Sequence, residues 1–130
     1  MVHLQSRFLI FAGLLLSFSI PVAAHHGASN YDLTKTLTLT GTVTSFYWAN
    51  PHCLIHLDAM ATDGTIQHWT LEMASIHTMT RRGWNKNLLK PGDKVIADTH
   101  PAQNGLPIGI SADSGIIMNF TVNGRQVSSK

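Results

Sequence analysis

At 130 residues the chain is long enough for one modest core and too short for two. Nine Lys/Arg stand against seven Asp/Glu with no basic stripe, which argues against a nucleic-acid partner. Cys53 is the only cysteine, so no internal disulfide can form, and stability must rest on core burial with or without a bound ligand.

Residues 1–24 read as a cleavable secretory signal peptide. Arg7 precedes an apolar run over 8–20, and Pro21-Val22-Ala23-Ala24 closes it with the small residues that a signal peptidase site needs. The run is shorter than the ~20 apolar residues of a membrane-spanning helix. No cysteine stands at the junction to carry a lipid. The expectation is an exported periplasmic protein, free of a membrane anchor after cleavage, that begins at His25.

Residues 25–130 then read as a single domain. A polar, irregular N-terminal arm occupies about 25–35. The span 36–48 is a first strand, with Leu37, Leu39 and Val43 alternating with threonines, and Gly41 marks a bend or bulge in it. Ala49-Asn50-Pro51 breaks it. The second strand, 52–60, sets Cys53, Ile55 and Leu57 on one face and His52, Leu54, His56 and Asp58 on the other. Thr62-Asp63-Gly64 is a hairpin turn signal. The third strand, 65–73, puts Trp69, Leu71 and Met73 on one face and His68, Thr70 and Glu72 on the opposite one. A short helix over 75–82 is capped by Ser75, packs Ile76 and Met79 inward and stops at Gly83. Trp84 seals the loop that follows.

The segment 89–93, Leu-Lys-Pro-Gly-Asp, turns the chain into a fourth strand over 94–100. A Gly/Pro/Asn loop covers 101–107. Strands over 108–112 and 116–122 follow, with a break near 113–115, and Asn123-Gly124 opens a terminal hairpin with 125–127. Three strands, a short helix and further strands, led by a long bent first strand, match a mainly β fold, a small OB-like Greek-key barrel with one short helix between the third and fourth strands. A β-sandwich or open sheet with one helix is the alternative.

Several of these segments together carry a family resemblance. They are the His25-His26 start, Gly41-Thr42-Val43, Trp48-Ala49-Asn50-Pro51-His52, Trp69-Thr70-Leu71-Glu72, Arg82-Gly83-Trp84, the 89–93 turn and His100-Pro101. The chain resembles the small exported bacterial proteins grouped as domain of unknown function 6152. The resemblance implies an exported one-domain protein. It brings no activity, so no catalytic residue is carried over.

Four groups of residues are candidates for chemistry. If cleavage leaves His25 first, its α-amine and Nδ1 form a chelate, and imidazoles from His26, His52 or His100 complete a nitrogen set suited to Cu(II). The bland reading of the same residues is a solvated polar arm. His52 and His56 share a strand face but lie ~13 Å apart, too far for one ion. His56 meets His68 across the hairpin if the register sets them opposite, with Glu72 near; solvated cross-strand pairs are the bland reading. The mature methionines with Trp48, Trp69 and Trp84 read as core filling before they read as a soft Cu(I) set. The Asn50-Pro51-His52 corner either presents His52 to a ligand or satisfies backbone groups.

No nucleophile elbow, phosphate loop, metalloprotease pair or carboxylate dyad is present, which counts against an enzyme. The expectation is a non-enzymatic periplasmic binding module. Its metal residues are His25, His26, His52 and His100, its ion is copper, and Trp48, Asn50 and Trp84 line the ligand corner. Its partner is the metal ion or a periplasmic protein. The rival reading is a metal-free protein-interaction or small-ligand domain of the same fold.

Overall fold

The computed structural model describes residues 28–111 and 119–127. After a 3₁₀ turn at Ala28–Asn30 the strands run β1 Leu37–Tyr47, β2 Leu54–Met60 and β3 Ile66–Glu72. Helix α1 Ile76–Arg81 follows, then β4 Lys94–Pro101, β5 Ile108–Ser111, β6 Phe120–Val122 and β7 Arg125–Gln126. The sheet order is β1-β2-β3-β5-β4-β6-β7, and β1 pairs again with β4, which closes β1 to β5 into a five-stranded barrel. The β3–β5 pairing is parallel and every other pairing is antiparallel. This is the OB-like topology expected from the element order, with its helix between β3 and β4, and the sandwich alternative does not hold.

One strand must serve two partners for the barrel to close. The first half of β1 pairs with β4 through Leu37–Thr42, and the second half pairs with β2 from Gly41 onward. The hand-over falls at Gly41 and Thr42, and a register shift between Val43 and Ser45 adds a bulge. A Cβ on Gly41 would lie 2.6 Å from the Asp58 carbonyl oxygen, so only glycine lets the two strands cross this closely. The bend expected at Gly41 therefore has a steric cause.

The inward face is the one that the period-two pattern marks. Cys53, Ile55, Leu57, Leu71, Met73, Val95, Ala97 and Phe120 are all buried. Ser75 caps α1 by accepting the Thr78 N–H, and Met79 of α1 is fully buried in the core. Trp84 follows it there, with ring centroids 6.3 Å from Phe46 and 5.1 Å from Phe120. Each such side chain contributes roughly 1.5–3 kcal/mol by leaving water.

β5 and β6 both pair antiparallel with β4, β5 at Thr99–Pro101 and β6 at Val95–Ala97. They therefore lie one after the other along the same edge of β4. The expected break at 113–115 and the start of the strand over 116–122 lie outside the described residues. The expected final hairpin is present, with Asn123 and Gly124 both at positive φ.

The arm differs from its expected irregular form over its described part. Tyr31 forms a β-bridge with Ala102, the Asp32 N–H donates to the Pro101 carbonyl, and the Gln103 N–H donates to the Asn30 carbonyl. Residues 30–32 are thus bound to the end of β4 and the loop that follows it.

Candidate functional site

The corner between β1 and β2 is built by its own polar groups. The Asn50–Pro51 peptide is cis, and Asn50 Oδ1 accepts the Ile76 N–H at 3.1 Å. Asn50 therefore satisfies a free donor in the first turn of α1, which ties the corner to the helix. Trp48 packs edge-on against Phe46 at 5.5 Å and is half-buried. Trp84, grouped with them as a ligand-facing residue, is 2% exposed and sits inside the barrel end.

His52 leaves this corner on the outer surface, with its side chain 46% exposed. Its Nδ1 lies 2.9 Å from Glu72 Oε1 and 3.1 Å from the Met73 carbonyl oxygen. Both neighbours are acceptors, so Nδ1 carries the hydrogen and donates. In the neutral ring that leaves the lone pair on Nε2. An imidazole held by a carboxylate through one nitrogen is the arrangement that orients metal-binding histidines.

Glu72 also has a second partner. Its Oε2 accepts the Tyr31 hydroxyl at 2.9 Å, so the two carboxylate oxygens face two different elements. Tyr31 is 9% exposed. Burial, the Glu72 hydrogen bond and the Glu72 charge push its phenol up to about 12, so it stays a donor.

The other histidines are placed differently. His100 Nδ1 donates to the Lys35 carbonyl oxygen at 2.5 Å and so holds the arm. His100 pairs with Ile110, which pairs with Glu72, so two strand spacings of ~4.8 Å separate His100 from the Glu72 position. His56 pairs with Thr70, and His68 pairs with Asp58, accepted there at 2.6 Å. The expected His56–His68 pairing is displaced by two residues, and these imidazoles take polar cross-strand partners instead. Among the described residues no group of three or more His, Cys, Asp or Glu is placed to hold a metal ion. His25 and His26 lie outside the described residues.

Of the mature methionines, Met73 and Met79 are buried in the core and Met60 is exposed at the hairpin tip. The Cys53 thiol is buried, and desolvation pushes its pKa up. No soft sulfur ligand thus shares the His52 surface among the described residues. A separate groove of about 760 Å³ crosses β1 away from His52, with Thr38, Thr40 and Thr42 beside Met60, Ile66 and Ile96.

Tyr31 and Glu72 are the site members that the sequence reading did not join to His52. Glu72 could be read as an outward residue at the end of β3. The one signal for Tyr31 is that it is an aromatic residue in an otherwise polar arm.

Residues 12–111 match the family of unknown function DUF6152. The chain belongs to that family. DUF6152 is defined without an activity, so membership brings no assigned residue roles. No curated protein matches this DUF6152 chain in sequence. Among solved structures, the mitochondrial single-stranded DNA binding protein Rim1 of S. cerevisiae is similar with a TM-score of 0.47 and 10% identity. The alignment covers 70% of this chain and 95% of that one.

Proposed function

We propose that this protein is an exported periplasmic module that binds Cu(II) between His52 and the histidines at its N-terminus. The observation that carries the reading is the His52 ring itself. Its Nδ1–H is engaged by Glu72 and by the Met73 carbonyl, which leaves Nε2 as the lone-pair nitrogen of a half-exposed ring.

The described residues offer one imidazole here, so the remaining donors must come from elsewhere. The arm supplies them. Tyr31, in the arm's bound part, bonds the carboxylate that holds His52. His25 is six residues upstream, and six residues reach at most ~20 Å. Cleavage after Ala24 would give His25 an α-amine, so amine, His25 Nδ1, His26 and His52 form a nitrogen set. Hard and borderline donors without a thioether favour Cu(II) over Cu(I). His100, whose Nδ1 donates to the Lys35 carbonyl, is left outside this set.

His52→Ala is expected to weaken Cu(II) binding about 100-fold, at the upper end of the 10–100-fold that loss of an outer-shell partner costs. Isothermal titration against a competing chelator measures it, with thermal unfolding as the control. Unchanged affinity would exclude His52 as a ligand. The groove over β1 supports the rival reading, a metal-free binding domain, because Met60, Ile66 and Ile96 leave apolar surface in water. A protein indifferent to copper would direct ligand searches there.

A further inference from the structure

We propose that Tyr31 is a positioning residue for His52, acting through Glu72. The copper part of its test rests on the proposed function above; the geometric part does not. An exposed histidine beside a carboxylate on a strand surface is ordinarily a loose pair, because both side chains keep rotamer freedom. Here the carboxylate is clamped from both sides. Glu72 Oε2 accepts the Tyr31 hydroxyl and Oε1 faces His52 Nδ1, each at 2.9 Å.

The clamp is only as rigid as its outer end, and that end is fixed. Tyr31 is buried and bridges to Ala102. Its carbonyl accepts from Gln103 Nε2 at 3.1 Å, and the next residue donates its N–H to Pro101. The phenol thus carries the position of the docked arm into the orientation of a ring on the neighbouring corner. Tyr31 stands 41 residues from Glu72 in sequence, so the link exists only when the arm is seated.

Tyr31→Phe removes one oxygen and leaves the ring that fills the site. In the metal-free, histidine-¹⁵N-labelled protein, the His52 imidazole should be mainly the Nδ1–H tautomer. In the Tyr31→Phe variant the share of that tautomer should fall measurably, the Met73 carbonyl keeping part of the preference, while the His68 signals, set by Asp58, stay as they were. Glu72→Gln, which keeps the side-chain shape, should produce the same loss. Copper affinity should fall about tenfold in Tyr31→Phe and should not fall further when the change is added to His52→Ala. A His52 ring that keeps its tautomer in both variants would overturn the proposal. A tautomer shift in a protein whose copper binding ignores His52→Ala would support the positioning role and remove the copper reading.

Discussion

Trp84→Ala is expected to lower the stability of the fold by about 4 kcal/mol, within the range for emptying a buried aromatic site. The cause is the place of Trp84 in the barrel. It is 2% exposed, closes the end beneath α1, and touches both Phe46 of β1 and Phe120 of β6. No neighbouring element is free to collapse into the gap, because β1 and β6 are both held in the sheet. For a domain of this size the midpoint of thermal unfolding should fall by about 15–30 °C. Urea unfolding should show a lower midpoint at an unchanged slope. Trp84→Phe should lose far less, since the indole N–H has no hydrogen-bond partner among the described residues. A loss under about 1 kcal/mol for Trp84→Ala would mean that the ring does not plug the barrel. Trp48→Ala, at the half-buried corner, should fall well short of the Trp84 effect.

Gly109→Ala is the second large effect, and it acts by overpacking. Gly109 lies in β5 between Leu71 of β3 and Pro101 of β4, where the parallel pairing closes the barrel. A Cβ there would stand 2.1 Å from Thr99 Oγ1 and 2.9 Å from its Cγ2. Thr99 is fully buried and donates its hydroxyl to the Ile110 carbonyl at 2.9 Å. It cannot turn aside without breaking that bond. The added methyl must instead part β4 from β5, at a cost of about 3 kcal/mol. Thr99→Ala in the same protein should recover part of the loss, and that non-additivity identifies the clash as the cause. Additive losses from the two changes would contradict it.

The parts of the fold that were legible in the sequence are those set by local chemistry. Cys53, Ile55 and Leu57 recur at every second position, as do Trp69, Leu71 and Met73, and both sets face the core. Ser75 and Gly83 bracket the helix at positions that capping chemistry requires. The register of β2 on β3 was not legible in this way. Residues 61–65 form the turn, with the Ala61 N–H donating to the Thr65 carbonyl, and so Asp58 rather than His56 faces His68. A slip of one residue would bury the wrong face, but a slip of two keeps every residue on its own face. The hydrophobic pattern therefore carries no information about it.

The site was legible in part for a related reason. His52 stands out because Asn50-Pro51 stiffens the corner before it. Its link to Glu72 depends on how β2 lies on β3, and the link to Tyr31 depends on where the arm docks. His100 and His52 looked equivalent as outward histidines. The β3–β5–β4 order separates them, and no local signal specifies a parallel closing pair.

The most direct measurement is a Cu(II) titration of two proteins, one beginning at His25 and one with a single alanine placed before it. The alanine moves the α-amine away from the His25 ring and leaves His52, Glu72 and Tyr31 untouched. The account predicts tight one-to-one binding by the first and binding about 100-fold weaker by the second. Equal, weak binding by both would contradict a site built from the N-terminal histidine.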